Sequence, residues 1–309
     1  MIKSFKVTNY LGDSIYMDIR KPEDTGFLIT SVSGITLPAA QIGTIDSAYD
    51  GAVFSGTRLD KRNIVFTIIF YEENKIIDEN TGETVRLDIE QLRHKCYKYF
   101  PIRKELKIEI TNDSGTYYIS GYVEKNESAV FTKQEGAQIS VICPDPYFRA
   151  TASSSVTLSD VIAAFQFPVK FEDTQEFGYL KTYRSTDINY GGAPDTGLTI
   201  RIEARGSIRN PSIYNVKTKE YMKLLSEKIN AKTGNGIIDK DVIEINTRRG
   251  KKSITLIRNG KKHNILQSLD KNSKWLTLDT GLNQFGYKAD SGRVNLRVVF
   301  EYEPSYLGV

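Results

Sequence analysis

The chain has 309 residues, of which 39 % are hydrophobic and 26 % charged, with 42 Lys and Arg against 38 Asp and Glu. That balance excludes a disordered polyelectrolyte and gives no concentrated basic face for nucleic acid, and no apolar run approaches the roughly 18 residues of a membrane-spanning helix. Two cysteines and two histidines are too few for a disulfide framework and leave little material for a zinc site.

The charge is uneven. Residues 1–149 hold 18 Lys and Arg against 21 Asp and Glu, a balance of −3, and the remainder holds 24 against 17, a balance of +7. Together with the length, this predicts two domains, 1–149 and 150–309. The opening "MIKSFKVTNY" has no apolar signal-peptide core, which leads us to expect folding in a cytosol.

In chain order, residues 31–62 carry Gly34, Gly43, Gly51 and Gly56 and no sustained hydrophobic period. A segment this long without a clear element reads as an extended arm or loop that wraps a neighbour. "NIVFTIIFY" (63–71) is β-branched and aromatic, as a buried strand should be. The period then changes: Ile89, Leu92, Cys96 and Tyr99 share one helical face, Asp88 and Gln91 stand in capping-box positions, and Pro101 ends the helix. "KELKIEI" and "TYYISGYV" alternate on either side of turn residues, which predicts a hairpin over 104–123. "AQISVIC" is a further strand, stopped by Pro144 and Pro146, whose nitrogens cannot donate to a sheet ladder. The small polar run Thr151 to Ser155 follows, and we read Pro144, Asp145, Pro146, Tyr147 and Phe148 as a domain hinge.

The second half reads as nearly all β. Short apolar strands are spaced by turn signals, the strongest being Asn259-Gly260, and this predicts an antiparallel sandwich. Residues 172–197, polar and rich in Gly and Tyr, read as a long loop. The fold class is therefore mainly β with one principal helix in the first half, an α+β N-terminal domain followed by a β-sandwich.

No catalytic constellation stands out. His94 lies beside the helix stripe without a nucleophile motif near it, and His263 follows two lysines in a hairpin. "GKKS" (250–253) lacks the earlier glycine of a phosphate loop and sits between strands, and no GxSxG occurs. Arg248, Arg249, Lys251 and Lys252 read as a soluble hairpin tip. Cys96 and Cys143 read as buried reduced thiols. We expect a binding or structural protein, with no catalytic residue, metal or cofactor.

Several stretches resemble the siphophage distal tail proteins: "DGAVFSGTRLDKRNIVFTIIFY", "DIEQLRHKCYKYF", "YYISGYVEKNE" and "AQISVICPDPYF" in the first half. "GSIRNPSIYN", "DVIEINTRRGKKSITL", "NSKWLTLDTGLNQFGY" and "VVFEYEPSYLGV" follow in that family's order. The resemblance implies a galectin-like sandwich for the second domain and a structural hub at the tip of a non-contractile tail, in the virion, assembled in the bacterial cytoplasm. It implies a homo-hexameric ring bound to tail tube protein, tail-tip protein and receptor-binding protein, with DNA passing through unbound and no membrane insertion. The arm would then cross to the neighbouring subunit, which makes Asp50, Gly51, Phe54, Arg58, Asp60 and Arg62 interface candidates. The alternative is a carbohydrate-binding sandwich, with Trp275 as a sugar platform, although Trp275 in a strand context more readily packs beside the core.

Overall fold

The alternation in "RNIVFTIIF" sets the architecture of the first half. Ile64, Phe66, Ile68 and Phe70 are buried on one face of the strand Arg62–Phe70, while the residues between them stay exposed or half-buried. The structure is a computed structural model that describes residues 1–47, 49–77, 82–129, 132, 134–157, 159–163, 178–182 and 185–309. It divides into two compact units, Met1–Thr151 with Ser305–Val309, and Ala152–Pro304.

The strands of the first unit are β1 (Ile2–Thr8), β2 (Ser14–Asp18), β3 (Phe27–Ser33), β4 (Ala40–Asp46), β5 (Ala52–Leu59), β6 (Arg62–Phe70), β7 (Ile76–Ile77) and β8 (Thr84–Val85). After helix α1 (Ile89–Tyr99) come β9 (Glu105–Asn112), β10 (Gly115–Ala129), β11 (Gly136–Cys143) and β12 (Phe148–Ala150). The main sheet runs β2-β1-β9-β10-β11-β6-β3, with β12 paired to β10. Its buried face carries Phe5, Val7, Ile108, Ile110, Ile139 and Val141, in one core with Leu92, Cys96 and Tyr99 of α1. The expected capping box is present: the Gln91 amide donates to Asp88 Oδ1 at 2.8 Å, and the Asp88 amide donates to Gln91 Oε1 at 2.9 Å.

The second unit begins with β13 (Ser154–Thr157), β14 (Ser159–Ala163), β15 (Gly178–Thr182), β16 (Ser185–Tyr190), β17 (Thr196–Gly197), β18 (Thr199–Ala204), β19 (Ser212–Asn215) and β20 (Tyr221–Lys223). Helix α2 (Ser226–Thr233), β21 (Val242–Asn246), β22 (Ser253–Arg258), β23 (Lys261–Asn264), β24 (Thr277–Leu278), β25 (Gly281–Lys288) and β26 (Leu296–Tyr302) complete it. A six-stranded sheet, β13-β26-β18-β21-β22-β23, and a four-stranded sheet, β16-β25-β19-β20, share one core. Alternating residues meet inside it: Phe285 and Phe300 have ring centroids 5.1 Å apart, an aromatic contact worth more than its area alone. At the β22–β23 turn, Asn259 and Gly260 both have positive φ, 49° and 75°, as the two-residue hairpin demands.

Three expectations change. Within 172–197, read as one loop, residues 185–190 form β16, because Ile188 and Tyr190 alternate with exposed Asp187 and Asn189 and enter the core; residues 172–177 and 183–184 lie outside the described residues. Helix α2 went unread because Ile229 is its one buried residue, too few to show a helical period. Residues 305–309, expected in the second domain, pack with the first unit, where β27 (Ser305–Tyr306) pairs with β12.

Candidate functional site

The arm expected over 31–62 is an ordered hairpin. Among the described residues β4 and β5 pair only with each other, from Ala40↔Leu59 to Asp46↔Ala52, with a register shift between Gly43 and Thr44. A bond from the Asp60 amide to the Ala39 carbonyl, 3.0 Å, closes its base. Among the described residues no second layer covers it: Ile42, Ile45, Val53 and Phe54 are 60–67 % exposed. An isolated two-stranded ribbon is marginal in water, and these side chains are of the kind that elsewhere fill cores. At its tip, Gly51 takes φ +96° with open space where a Cβ would be. Asp46 and Asp50 make no ion pair among the described residues. Toward the base, Gln41 bridges Arg58 and Asp60, accepting from Arg58 Nε at 2.8 Å and donating to Asp60 Oδ2 at 3.0 Å.

Arg62 departs from the sequence expectation. It is 3 % exposed, so it does not present its charge to a neighbour. Its Nε donates to the Pro146 carbonyl at 2.9 Å, Nη1 donates to the carbonyls of Gly34 and Thr36, and Nη2 donates to that of Leu307. The guanidinium lies 4.6 Å from the Phe148 ring centroid. Among the described residues no carboxylate pairs with it, and burial lowers its pKa from the ordinary arginine value. A buried cation must be compensated by hydrogen bonds, and here four carbonyls do so. One side chain thereby fixes the hairpin's root, the segment after β11 and the returning C-terminal segment. Gly34 belongs to the same root: φ is +80°, and a Cβ there would lie 1.9 Å from the Asn63 carbonyl oxygen.

The segment Pro144, Asp145, Pro146, Tyr147 and Phe148 is consequently not a free hinge. Phe148 is fully buried in the first core, Asp145 binds Arg149 at 2.8 Å, and the Thr151 amide still donates to Thr116. The prolines end the β11 ladder as expected, but the chain passes to the second unit at residues 151–152. Trp275 is partly buried against the sandwich core, with Lys252 Nζ 5.3 Å from its ring.

Other chemistry candidates find structural places. His94 packs edge-on to Tyr97, and His263 lies in β23. Cys96 and Cys143 are free and buried, and burial pushes both thiols up to about 12, so they stay protonated at neutral pH. No group of three or more His, Cys, Asp or Glu residues suited to a metal ion occurs among the described residues. Sequence reasoning located the arm but missed its pairing and its buried root. Ile42 and Ile45 stand three apart, so the segment offered no period-two strand signal.

Comparison with known proteins bears directly on the second unit. Residues 191–306 match the family model described as "Siphovirus-type tail component, C-terminal domain". That similarity falls on the second unit from residue 191 onward. The whole chain shares its fold with phage SPP1 Dit (gp 19.1), presented as a paradigm of the hub adsorption apparatus in Gram-positive infecting phages; the two are 15 % identical over 97 % of this chain and 99 % of that one, with a TM-score of 0.63. A chain of the phage P2 baseplate in its activated conformation with Ca aligns over 100 % of both chains at 13 % identity and a TM-score of 0.50. No curated protein matches. The likeness to SPP1 Dit is one of fold, a β-rich architecture that runs through both units of this chain.

Proposed function

We propose that this protein is a structural hub of a non-contractile phage tail tip, forming a ring that joins the tail tube to tail-tip and receptor-binding proteins. The observation that carries the reading is the uncovered hairpin β4–β5. It presents large apolar side chains on a ribbon that its own unit does not cover, and a second copy supplies the missing layer. A head-to-tail contact of this kind uses two different patches on each copy, and it closes into a ring when the rotation per copy is right. The same logic places Asp50, Gly51, Phe54, Arg58 and Asp60 at a subunit boundary, with Arg62 behind them as the anchor.

The acidic balance of residues 1–149 supports a lumen that lets DNA pass. Clustered Lys and Arg would hold phosphates through counterion release, whereas a neutral or acidic wall does not. A continuous basic ring inside the assembled particle would count against this part of the reading.

The test is direct. Negative-stain imaging and light scattering of the purified protein should show a ring with a central hole. Excising residues 40–59 and joining Ala39 to Asp60 through Asn-Gly keeps the root bonded to Arg62. That variant should fold and run as a monomer, and one that still forms the ring would exclude the hairpin as the connector.

A further inference from the structure

Resting on that ring reading, we infer where on the neighbouring copy the hairpin lands: the corner of the first unit formed by Tyr10, Leu11, Ile102, Arg103, Lys104 and Tyr122. These residues come from three segments that the fold brings together. Tyr10 and Leu11 sit in the turn between β1 and β2, and Lys104 Nζ lies 5.0 Å from the Tyr10 ring centroid. The Arg103 amide donates to the Val123 carbonyl at 2.9 Å, next to Tyr122. Asn9 Nδ2 donates to the Lys98 carbonyl at 3.1 Å, which ties the turn to the end of α1. Tyr10, Leu11, Ile102 and Tyr122 are 46–68 % exposed, an apolar patch of the kind that marks interaction surfaces.

Three features single out the hairpin of a second copy as the occupant. The first is charge. The hairpin tip is apolar with unpaired acids, Asp46 and Asp50 beside Ile45, Val53 and Phe54. The corner is apolar with bases, Arg103 and Lys104, that make no ion pair among the described residues. Complementary charges set register and orientation in such contacts. The second is position. The registers Arg62↔Cys143, Tyr122↔Ile142, Tyr122↔Glu105 and Lys107↔Thr8 put the hairpin root and the corner at the same end of the sheet. The sheet order sets the root on β6, beside edge strand β3, while the corner runs from central strand β10 across β9 and β1 to edge strand β2. Donor and acceptor are thus two different patches, which is what a heterologous, head-to-tail contact uses. The third is reach: strands of seven and eight residues extend roughly 25 Å beyond the root, the length of a strand at about 3.3 Å per residue, so the tip clears its own unit.

Charge reversal on each side tests the assignment on the full chain. Asp46→Lys with Asp50→Lys makes one variant, and Arg103→Glu with Lys104→Glu makes the other. All four sites are exposed, so unfolding midpoints should stay at the wild-type value. Each variant alone should lose the multimer in analytical ultracentrifugation, with association weakened about tenfold or more. Equimolar mixing should restore it, because every contact in an alternating assembly again joins opposite charges. If the tip variant dissociates while the corner variant still assembles, or if mixing fails to rescue, the corner is not the acceptor and the ring reading stands. A wild-type protein that is monomeric at every concentration removes both.

Discussion

β5 and β6 are consecutive strands separated by two residues, and both carry bulky apolar side chains, yet they meet opposite fates. β6 has neighbours on both sides and a helix-backed core under one face, so Ile64, Phe66, Ile68 and Phe70 vanish from solvent. β5 has one partner and no covering layer, so Val53 and Phe54 remain in water. β6 is also the richer in large apolar residues, but the number of partners decides where those of β5 end up. Apolar side chains left open on such a strand are what the proposed contact with a second copy would cover.

Substitutions at matched positions sharpen that contrast. Phe66→Ala should cost the first unit about 4 kcal/mol, the usual penalty for emptying an aromatic site in a packed core, read by urea unfolding. Arg62→Met should come next, at about 3 kcal/mol, because it strips four carbonyls of a charged donor. Hydrogen exchange in this variant should rise at residues 34–36 and 305–309 while β9 and β10 stay protected. Asp88→Ala removes the α1 cap and should cost about 1 kcal/mol. Phe54→Ala should change the stability of the isolated subunit by no more than about 0.5 kcal/mol, as exposed sites do, while weakening the multimer in ultracentrifugation. A Phe54→Ala cost comparable to that of Phe66→Ala would mean that β5 is covered within its own chain, and the contrast would collapse.

The strands and the long helix were legible wherever a residue's partners are close in sequence or its period is clean. Asp88 and Gln91 are three residues apart, and Asn259-Gly260 specifies its turn by itself. The sandwich was legible from strand spacing. Arg62 was not, since all four of its carbonyl partners, at Gly34, Thr36, Pro146 and Leu307, come from three segments that only the fold brings together. A lone arginine before a strand reads as a surface charge, and nothing local marks it as an anchor. The hairpin was half legible: its glycines revealed an irregular arm, and its pairing appeared only once Ala40 and Leu59 were set opposite each other.

The pairing of Arg62 with Leu307 has a consequence for biosynthesis. A ribosome produces Arg62 long before it produces Leu307, so the hairpin's root stays incompletely fastened until the entire second unit has been translated. Until then Arg62 is held by the carbonyls of Gly34, Thr36 and Pro146, and the bond to Leu307 is the last of the four that can form.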